Sequence, residues 1–285
     1  MYLSINLSAC GTGGGNVLYI AIISFPRCAT TYVYNYLYKR LRNSNTLFIF
    51  EPFYPNTIYD IVHKGRVIHD EEGTIRHDFY RLPPRLRRLI YENAKWSELF
   101  LKDKQKYCGN YLTILNEFDK LPQKVIMKDI CLWAYLAELA RCFGNTHFIV
   151  LKREFEYLKQ AFLKWYNSCA FKGRLKRSIE KIRRGVPLSR ITHIRNVIRY
   201  LFATPEPLQY HFGLLYVYKH FKNEVPQSSD RKTFLKVLKE AYDAYVNIVD
   251  AVGEFDNCHV IEFGKRLSDG KIEKVVKEIV AGGVK

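Results

Sequence analysis

The chain has 285 residues and a mass of 33.6 kDa, which is enough for one large domain or two small ones. Its hydrophobic fraction of 48% and charged fraction of 26% exclude a mainly disordered chain. An excess of Lys and Arg leaves a net charge of +17, which favours an anionic partner such as nucleic acid, an anionic membrane, or a small phosphorylated or sulfated ligand.

Cysteine usage and the N-terminal segment bear on compartment and metal binding. The seven cysteines are scattered without a CxxC pair, which argues against a disulfide framework and against a structural zinc site. We therefore expect a reducing, cytoplasmic setting and no metal.

Residues 1–16, which include GTGGG, precede the first predicted strand and so fit a flexible arm rather than a dinucleotide-binding turn. The apolar run at 17–25 is shorter than the roughly 20 residues that span a bilayer. Abundant Lys, Arg, Ile and Tyr are typical of a thermophile.

Five short apolar runs predict the strands of a parallel sheet. In chain order they are VLYIAIIS, TLFIF, KVIMK, THFIVL and HVIEF, at residues 17–24, 46–50, 124–128, 146–151 and 259–263. Helical patterns follow the runs, and the clearest of them cover about 231–252 and 271–280. Strands that alternate with helices imply an α/β fold with helices on both faces of the sheet and ligands at the carboxyl ends of the strands. The candidate residues at those ends are 26–31, Glu51, Lys128 and Arg153.

The loop after the first strand, SFPRCATT, has the composition of an anion-binding loop. Backbone N–H groups at a helix N-terminus are unsatisfied and attract an anion. Thr30 and Thr31 add hydroxyl donors, and Arg27 adds a delocalised cation. The loop lacks the Gly-rich Lys-Ser/Thr ending of a nucleotide-triphosphate loop. In the alternative interpretation, Thr30 or Thr31 only caps the helix.

The segment FPRCATT resembles the 5′-phosphosulfate loop of sulfotransferases that use 3′-phosphoadenosine 5′-phosphosulfate (PAPS), whose usual form is P-[K/R]-[S/x]-G-T-T. The resemblance implies a P-loop nucleotide-hydrolase-like architecture. It also implies that Arg27 contacts the phosphosulfate and that the loop formed by Cys28, Ala29, Thr30 and Thr31 holds the 5′-phosphate. Ala29 stands where the family usually has glycine, and we expect an alanine to fit there only with a negative φ.

The fourth strand and its helix, FIVLKREFEYLKQAFLKW, resemble the family's 3′-phosphate segment. Arg153 matches the arginine that this resemblance assigns to the 3′-phosphate. In the alternative interpretation it is a surface residue at a helix start. Phe155 replaces the usual proline, and Ala161 replaces the usual serine, so another donor has to supply the lost hydroxyl contact. Lys159 and the basic residues of 171–202 are the candidates.

Sulfuryl transfer needs positive charge at the leaving oxygen and a base for the acceptor proton. Lys128 resembles the lysine of the cytosolic subgroup's Lys-Thr-His element, although Ile130 stands where its histidine would be. FIFEPF resembles the Glu-Pro segment of carbohydrate-type sulfotransferases, which makes Glu51 the preferred base. Alternatively, Glu51 is a salt-bridge partner of Arg27 or Lys128, and the two roles can coexist. Four lesser candidates for the base are Asp129, His63, His69 and His77.

The remaining segments set the extent of the resemblance. HVIEFGKRLSDGKIEKVVKEIV resembles the family's closing strand and helix, so the resemblance runs from about residue 17 to 280. We predict one domain over residues 1–285. Two segments of it, 53–120 and 165–230, are expected to be insertions that cover the acceptor and the cofactor. The first of them is irregular and aromatic. Three interpretations of the basic stretch 171–202 remain. It is a solvated face, a clamp over the adenosine bisphosphate, or a surface for an acidic or nucleic-acid partner.

The resulting functional prediction is a PAPS-dependent sulfotransferase that acts on a hydroxyl of a carbohydrate, a small metabolite or a tyrosine. Its product from the donor would be adenosine 3′,5′-bisphosphate, and Arg and Lys rather than a metal would supply the positive charge. Two alternatives remain. One is an ATP-using transferase or kinase of the same fold class, and the other is a non-catalytic protein that binds anions or nucleic acid.

Overall fold

The computed structural model describes residues 18–69, 73–93, 104–130, 132–166 and 231–282. The predicted flexible arm at 1–16 and the basic stretch at 171–202 therefore lie outside the described residues. The described strands are β1 (Leu18–Ile23), β2 (Thr46–Phe50), β3 (Val67–His69), β4 (Gly73–Ile75), β5 (Lys124–Asp129), β6 (His147–Arg153) and β7 (Cys258–Phe263). The described helices are α1 (Thr30–Leu41), α2 (Pro55–Lys64), α3 (Pro84–Asn93), α4 (Lys104–Asp119), α5 (Leu136–Cys142), α6 (Phe155–Tyr166), α7 (Arg231–Val252) and α8 (Asp269–Gly282).

Five strands form one parallel sheet in the order β2-β5-β1-β6-β7, while β3 and β4 pair as a separate antiparallel hairpin. The prediction of an α/β protein with a parallel central sheet flanked by helices is confirmed. The chain leaves β1 toward β2, returns to β5 beside β1, and then crosses to β6 on the other side of β1. The connections thus change direction at β1, and such a switch point is where open α/β sheets bind ligands.

Burial explains why the central runs lack alternating polarity. Residues 20–23 of β1 are fully buried, and all five residues of β2 are buried. A strand covered on both faces needs apolar side chains at every position, so its sequence reads as one continuous run. Behind the end of β1, the rings of Phe25, Trp133 and Tyr245 pack against one another with centroids 5.3–5.8 Å apart.

The description of residues 53–120 as irregular is wrong. Its described part contains α2, the β3–β4 hairpin, a 3₁₀ turn at Phe79–Arg81, α3 and α4. The hairpin strands and the 3₁₀ turn have three residues each, which is too few for a period to be recognised in the sequence. Whether this region covers an acceptor stays a prediction.

The chain divides into two compact units. One comprises the described residues up to Glu154 together with those from Ala244 onward, and the other comprises the described parts of residues 155–243. The first unit holds the whole sheet. In the second, the Phe155 ring lies 5.4 Å from the Tyr242 ring, and the Lys239 ammonium lies over Phe155. The single domain over residues 1–285 stays a prediction.

Two further observations concern the cysteines and the helices of the described residues. Cys142 is disulfide-bonded, whereas Cys28 and Cys258 are free and buried. The scattered spacing of the cysteines did not predict this bond. The bond runs against the expected reducing setting, because disulfides are rare in cytosolic proteins. Within the described ranges, no helix has both the length and the apolar content needed to cross a membrane.

Candidate functional site

The parallel register brings the predicted site residues to one edge of the sheet. Ile23, the last residue of β1, pairs with Asp129, and Phe50, the last residue of β2, pairs with Lys128. Neighbouring strands are about 4.8 Å apart, so the loop after β1, the end of β5 and Glu51 lie in adjacent rows. β6 pairs with β1 from the other side and ends at Arg153.

The loop after β1 has an unusual backbone. Arg27 has φ 68° and Ala29 has φ 59°, and the Cys28 between them does not share the positive φ. Alternating signs of φ turn successive N–H groups toward one side and create a concavity that binds anions. The expectation that Ala29 fits only with a negative φ is therefore wrong, because the structure places this alanine in the left-handed region. That conformation costs a residue with a Cβ roughly 1–2 kcal/mol.

Buried groups hold the start of this loop. The Ser24 hydroxyl donates to the Ile23 carbonyl at 2.7 Å and accepts from the Leu151 backbone N–H at 2.6 Å. Phe25 is fully buried, and the Tyr245 hydroxyl donates to the Leu151 carbonyl at 2.9 Å. These contacts tie the loop to β6 and fix the point at which it leaves the sheet.

Arg153 lies directly beside the loop. Its guanidinium donates to the Arg27 carbonyl at 2.9 Å and to the Lys265 carbonyl at 3.2 Å, and it lies over the Phe263 ring. Arg153 therefore links the strained loop to the segment after β7. The described contacts give it a supporting role, and its contact with a 3′-phosphate stays a prediction.

The side chain of Cys28 points into the protein rather than toward a ligand. It is fully buried, and burial raises the pKa of its thiol to about 12, with Arg153 acting weakly in the opposite direction. The thiol is therefore neutral at physiological pH. What Cys28 can offer an anion is its backbone N–H.

Thr30 and Thr31 are the first two residues of α1, and both are buried. The N-cap is Ala29, so neither threonine occupies the position from which a side chain ordinarily caps a helix. The choice between an anion contact and a capping role for the threonines stays a prediction. The N-terminus of α1 presents backbone donors of the kind that anions bind.

Glu51 and Lys128 form a buried ion pair. The Lys128 ammonium contacts Glu51 Oε1, with 2% of the lysine side chain and 9% of the glutamate side chain exposed. The Lys128 carbonyl also accepts from the Glu51 backbone N–H at 2.7 Å. The salt-bridge interpretation of Glu51 holds for Lys128, and it does not exclude a role as a base. Lys128 also lies 4.6 Å from the centre of the Phe50 ring, a cation–π contact.

Two further residues fix the Glu51 turn. The second carboxylate oxygen of Glu51 accepts from the Thr57 hydroxyl at 2.6 Å. Asp129 is fully buried and accepts from the Phe53 backbone N–H at 3.3 Å. Glu51 itself has φ 45°, so this turn is strained in the same way as the loop after β1. Asp129 thus supports the turn. Of the two carboxylates, that of Glu51 is the one held between Lys128 and Thr57.

The lesser histidine candidates differ in their surroundings. His63 is exposed, with its ring 6.4 Å from that of Tyr91, and the side chain of His69 lies outside the described residues. His77 accepts from the Phe79 backbone N–H at 3.4 Å, and burial lowers its pKa despite the opposing charge of Asp78. The described contacts connect neither His63 nor His77 to Glu51 or Lys128.

The contacts of Thr57 and Ser24 could not be predicted from the sequence. Thr57 lies in the first turn of α2, six residues after Glu51, where a threonine ordinarily suggests helix capping. Ser24 ends an apolar run, where a serine marks the end of a strand. In each case the side chain's partner is set by tertiary structure, so no local signal reveals it.

Within the described residues, no group of three or more His, Cys, Asp or Glu side chains is arranged to hold a metal ion. Comparison with known protein families finds no model that matches this chain, and comparison with curated proteins finds no match either.

Proposed function

We propose that the protein is a PAPS-dependent sulfotransferase of P-loop-like architecture that transfers a sulfuryl group to an acceptor hydroxyl. One observation carries the proposal: a strained loop containing Arg27 lies at the same sheet edge as the buried Lys128–Glu51 pair. Backbone strain of this kind is costly and concentrates at functional sites. An edge that combines an anion-binding loop, a buried cation and a carboxylate suits transfer of an anionic group to a hydroxyl.

The residues at this edge fit the anionic donor. The concave backbone at residues 27–29 and the first amides of α1 would bind the 5′-phosphate, because both present convergent N–H groups. Arg27 would add charge-assisted hydrogen bonds. Arg153 holds the Arg27 carbonyl and so keeps this loop in shape, and we assign it the 3′-phosphate as well.

Each charged side chain has a distinct task in this proposal. The donor supplies an activated sulfuryl group on a phosphate leaving group. Arg27 and Lys128 stabilise the negative charge that grows during transfer, which lowers the barrier most when the cations are already in place. Glu51 accepts the proton of the acceptor hydroxyl through its Oε1 oxygen, while Thr57 holds the Oε2 oxygen.

Calorimetry with adenosine 3′,5′-bisphosphate tests the donor site. We expect binding to the wild type, weaker binding to Arg27→Ala, and unchanged binding to Arg40→Ala. Arg40 is a matched control because it is an exposed arginine on α1 that stacks on Tyr36. No binding to the wild type at millimolar concentration would overturn the proposal.

Transfer of radiolabelled sulfate from PAPS to a panel of sugars, metabolites and tyrosine peptides tests the reaction. Glu51→Gln should lower turnover about 10²-fold or more, since a positioned base contributes about that much. Glu273→Gln, a change on the surface of α8, serves as the control and should keep the wild-type rate. A Glu51→Gln variant with the full rate would place the base elsewhere. Magnesium-dependent ATP turnover would instead favour the kinase-like alternative.

A further inference from the structure

In the structure both carboxylate oxygens of Glu51 are engaged. Oε1 contacts the Lys128 ammonium, and Oε2 accepts from the Thr57 hydroxyl. Only 7% of the Glu51 residue and 2% of the Lys128 residue are exposed, so water screens this pair very little. A carboxylate in this arrangement is not ready to accept a proton from an acceptor hydroxyl.

The same ammonium is the cation that the sulfuryl end of a donor would approach. Lys128 is the penultimate residue of β5 and pairs with Ile22, near the end of β1 that leads into the strained loop. Its ammonium is a compact point charge on a flexible stem. An anion arriving at this edge therefore competes with Glu51 for Lys128. Thr57 does not take part in the competition, because it donates to the other oxygen.

We propose that the Lys128–Glu51 ion pair orders binding at this site, so that the anionic donor enters first and the acceptor second. This inference rests on the proposed function. Without an anion, Lys128 occupies Oε1 of Glu51. When Lys128 turns to the anion, Oε1 becomes available to an acceptor hydroxyl, while Thr57 keeps the carboxylate in position through Oε2.

A counterintuitive binding result follows from the competition. Glu51→Gln removes the negative charge that competes for Lys128, so the variant should bind PAPS more tightly than the wild type, by about tenfold, which corresponds to about 1.4 kcal/mol. Lys128→Met should bind PAPS more weakly than the wild type. Adenosine 3′,5′-bisphosphate lacks the sulfuryl group and so serves as the matched ligand, and it should bind to the wild type and to Glu51→Gln with equal affinity.

The experiment is isothermal calorimetry of both ligands with the wild type and both variants. Equal PAPS affinity of wild type and Glu51→Gln would overturn the ordering while leaving the proposed function intact. Absence of binding of both ligands to the wild type would overturn the proposed function itself. Glu51→Asp keeps the charge but shortens the reach to Lys128, so it provides the same comparison in a milder variant. We expect its PAPS affinity to lie between those of the wild type and Glu51→Gln, and an affinity no higher than that of the wild type would count against the ordering.

Discussion

Substituting Ala29 by glycine should stabilise the protein. Ala29 has φ 59° and ψ 24°, a left-handed conformation in which its Cβ crowds the backbone. Glycine has no Cβ and adopts this conformation without that penalty. The same change in an ordinary helical position destabilises a protein, so the sign of the effect reports the backbone conformation at residue 29.

The magnitude follows from two opposing contributions. Removing the cost of the left-handed conformation raises the free energy of unfolding by about 1–2 kcal/mol. The greater freedom of glycine in the unfolded chain costs about 0.4–1 kcal/mol. The net gain is therefore about 0.5–1 kcal/mol, which corresponds to a rise in the unfolding midpoint of a few degrees for a chain of this size.

Urea denaturation followed by circular dichroism measures the free energy of unfolding of each variant. Ala251→Gly is the matched control, because Ala251 is exposed near the end of the long helix α7, where glycine should cost about 0.5–1 kcal/mol. The two substitutions should thus have opposite signs. If Ala29→Gly destabilises the protein as Ala251→Gly does, then residue 29 does not have a positive φ and the concave loop is not formed.

Three further predictions concern residues around the sheet. Arg153→Met removes two donors from the Arg27 and Lys265 carbonyls, so unfolding should become easier by about 1–3 kcal/mol, measured in urea. Burial lowers the pKa of both His147 and His259, whose ring nitrogens are 3.1 Å apart, so the unfolded chain binds more protons below pH 6.5. Stability should be fully present above pH 6.5 and fall as the pH drops below it, and His147→Asn should flatten this dependence in denaturation curves. The buried Cys28 thiol, with its raised pKa, should resist iodoacetamide at pH 8 until the protein is unfolded. Rapid labelling of Cys28 itself in the native protein, identified by peptide mass spectrometry, would contradict its burial.

The parallel sheet could be predicted from the sequence because its strands are buried on both faces. TLFIF gives β2 with its exact bounds, and KVIMK gives β5 to within one residue. The long amphipathic pattern at 231–252 gives α7 because twenty-two residues of helical period leave little ambiguity. The β3–β4 hairpin has strands of three residues each, which is too short for alternation to be recognised.

For the candidate site, the sequence predicts only which residues lie at the carboxyl ends of the strands. Parallel strands end at one edge, so Glu51 and Lys128 could be placed near each other from their positions alone. The positive φ of Ala29 could not be predicted, because alanine ordinarily avoids that region and the surrounding contacts enforce it. The Thr57 hydrogen bond depends on how α2 folds back onto the turn after β2, which the local sequence does not encode.

The three positive φ values, at Arg27, Ala29 and Glu51, are the only ones among the described non-glycine residues, and all of them follow the carboxyl end of β1 or β2. Each costs of the order of 1–3 kcal/mol, a substantial fraction of the roughly 5–15 kcal/mol by which a folded protein is stable. Specific contacts offset this cost: the Arg153 guanidinium binds the Arg27 carbonyl, and the Lys128 carbonyl binds the Glu51 N–H. A fold that needed only to be stable would gain by placing glycine at these positions. Their concentration at the switch point of the sheet therefore supports the anion site that we propose at this edge.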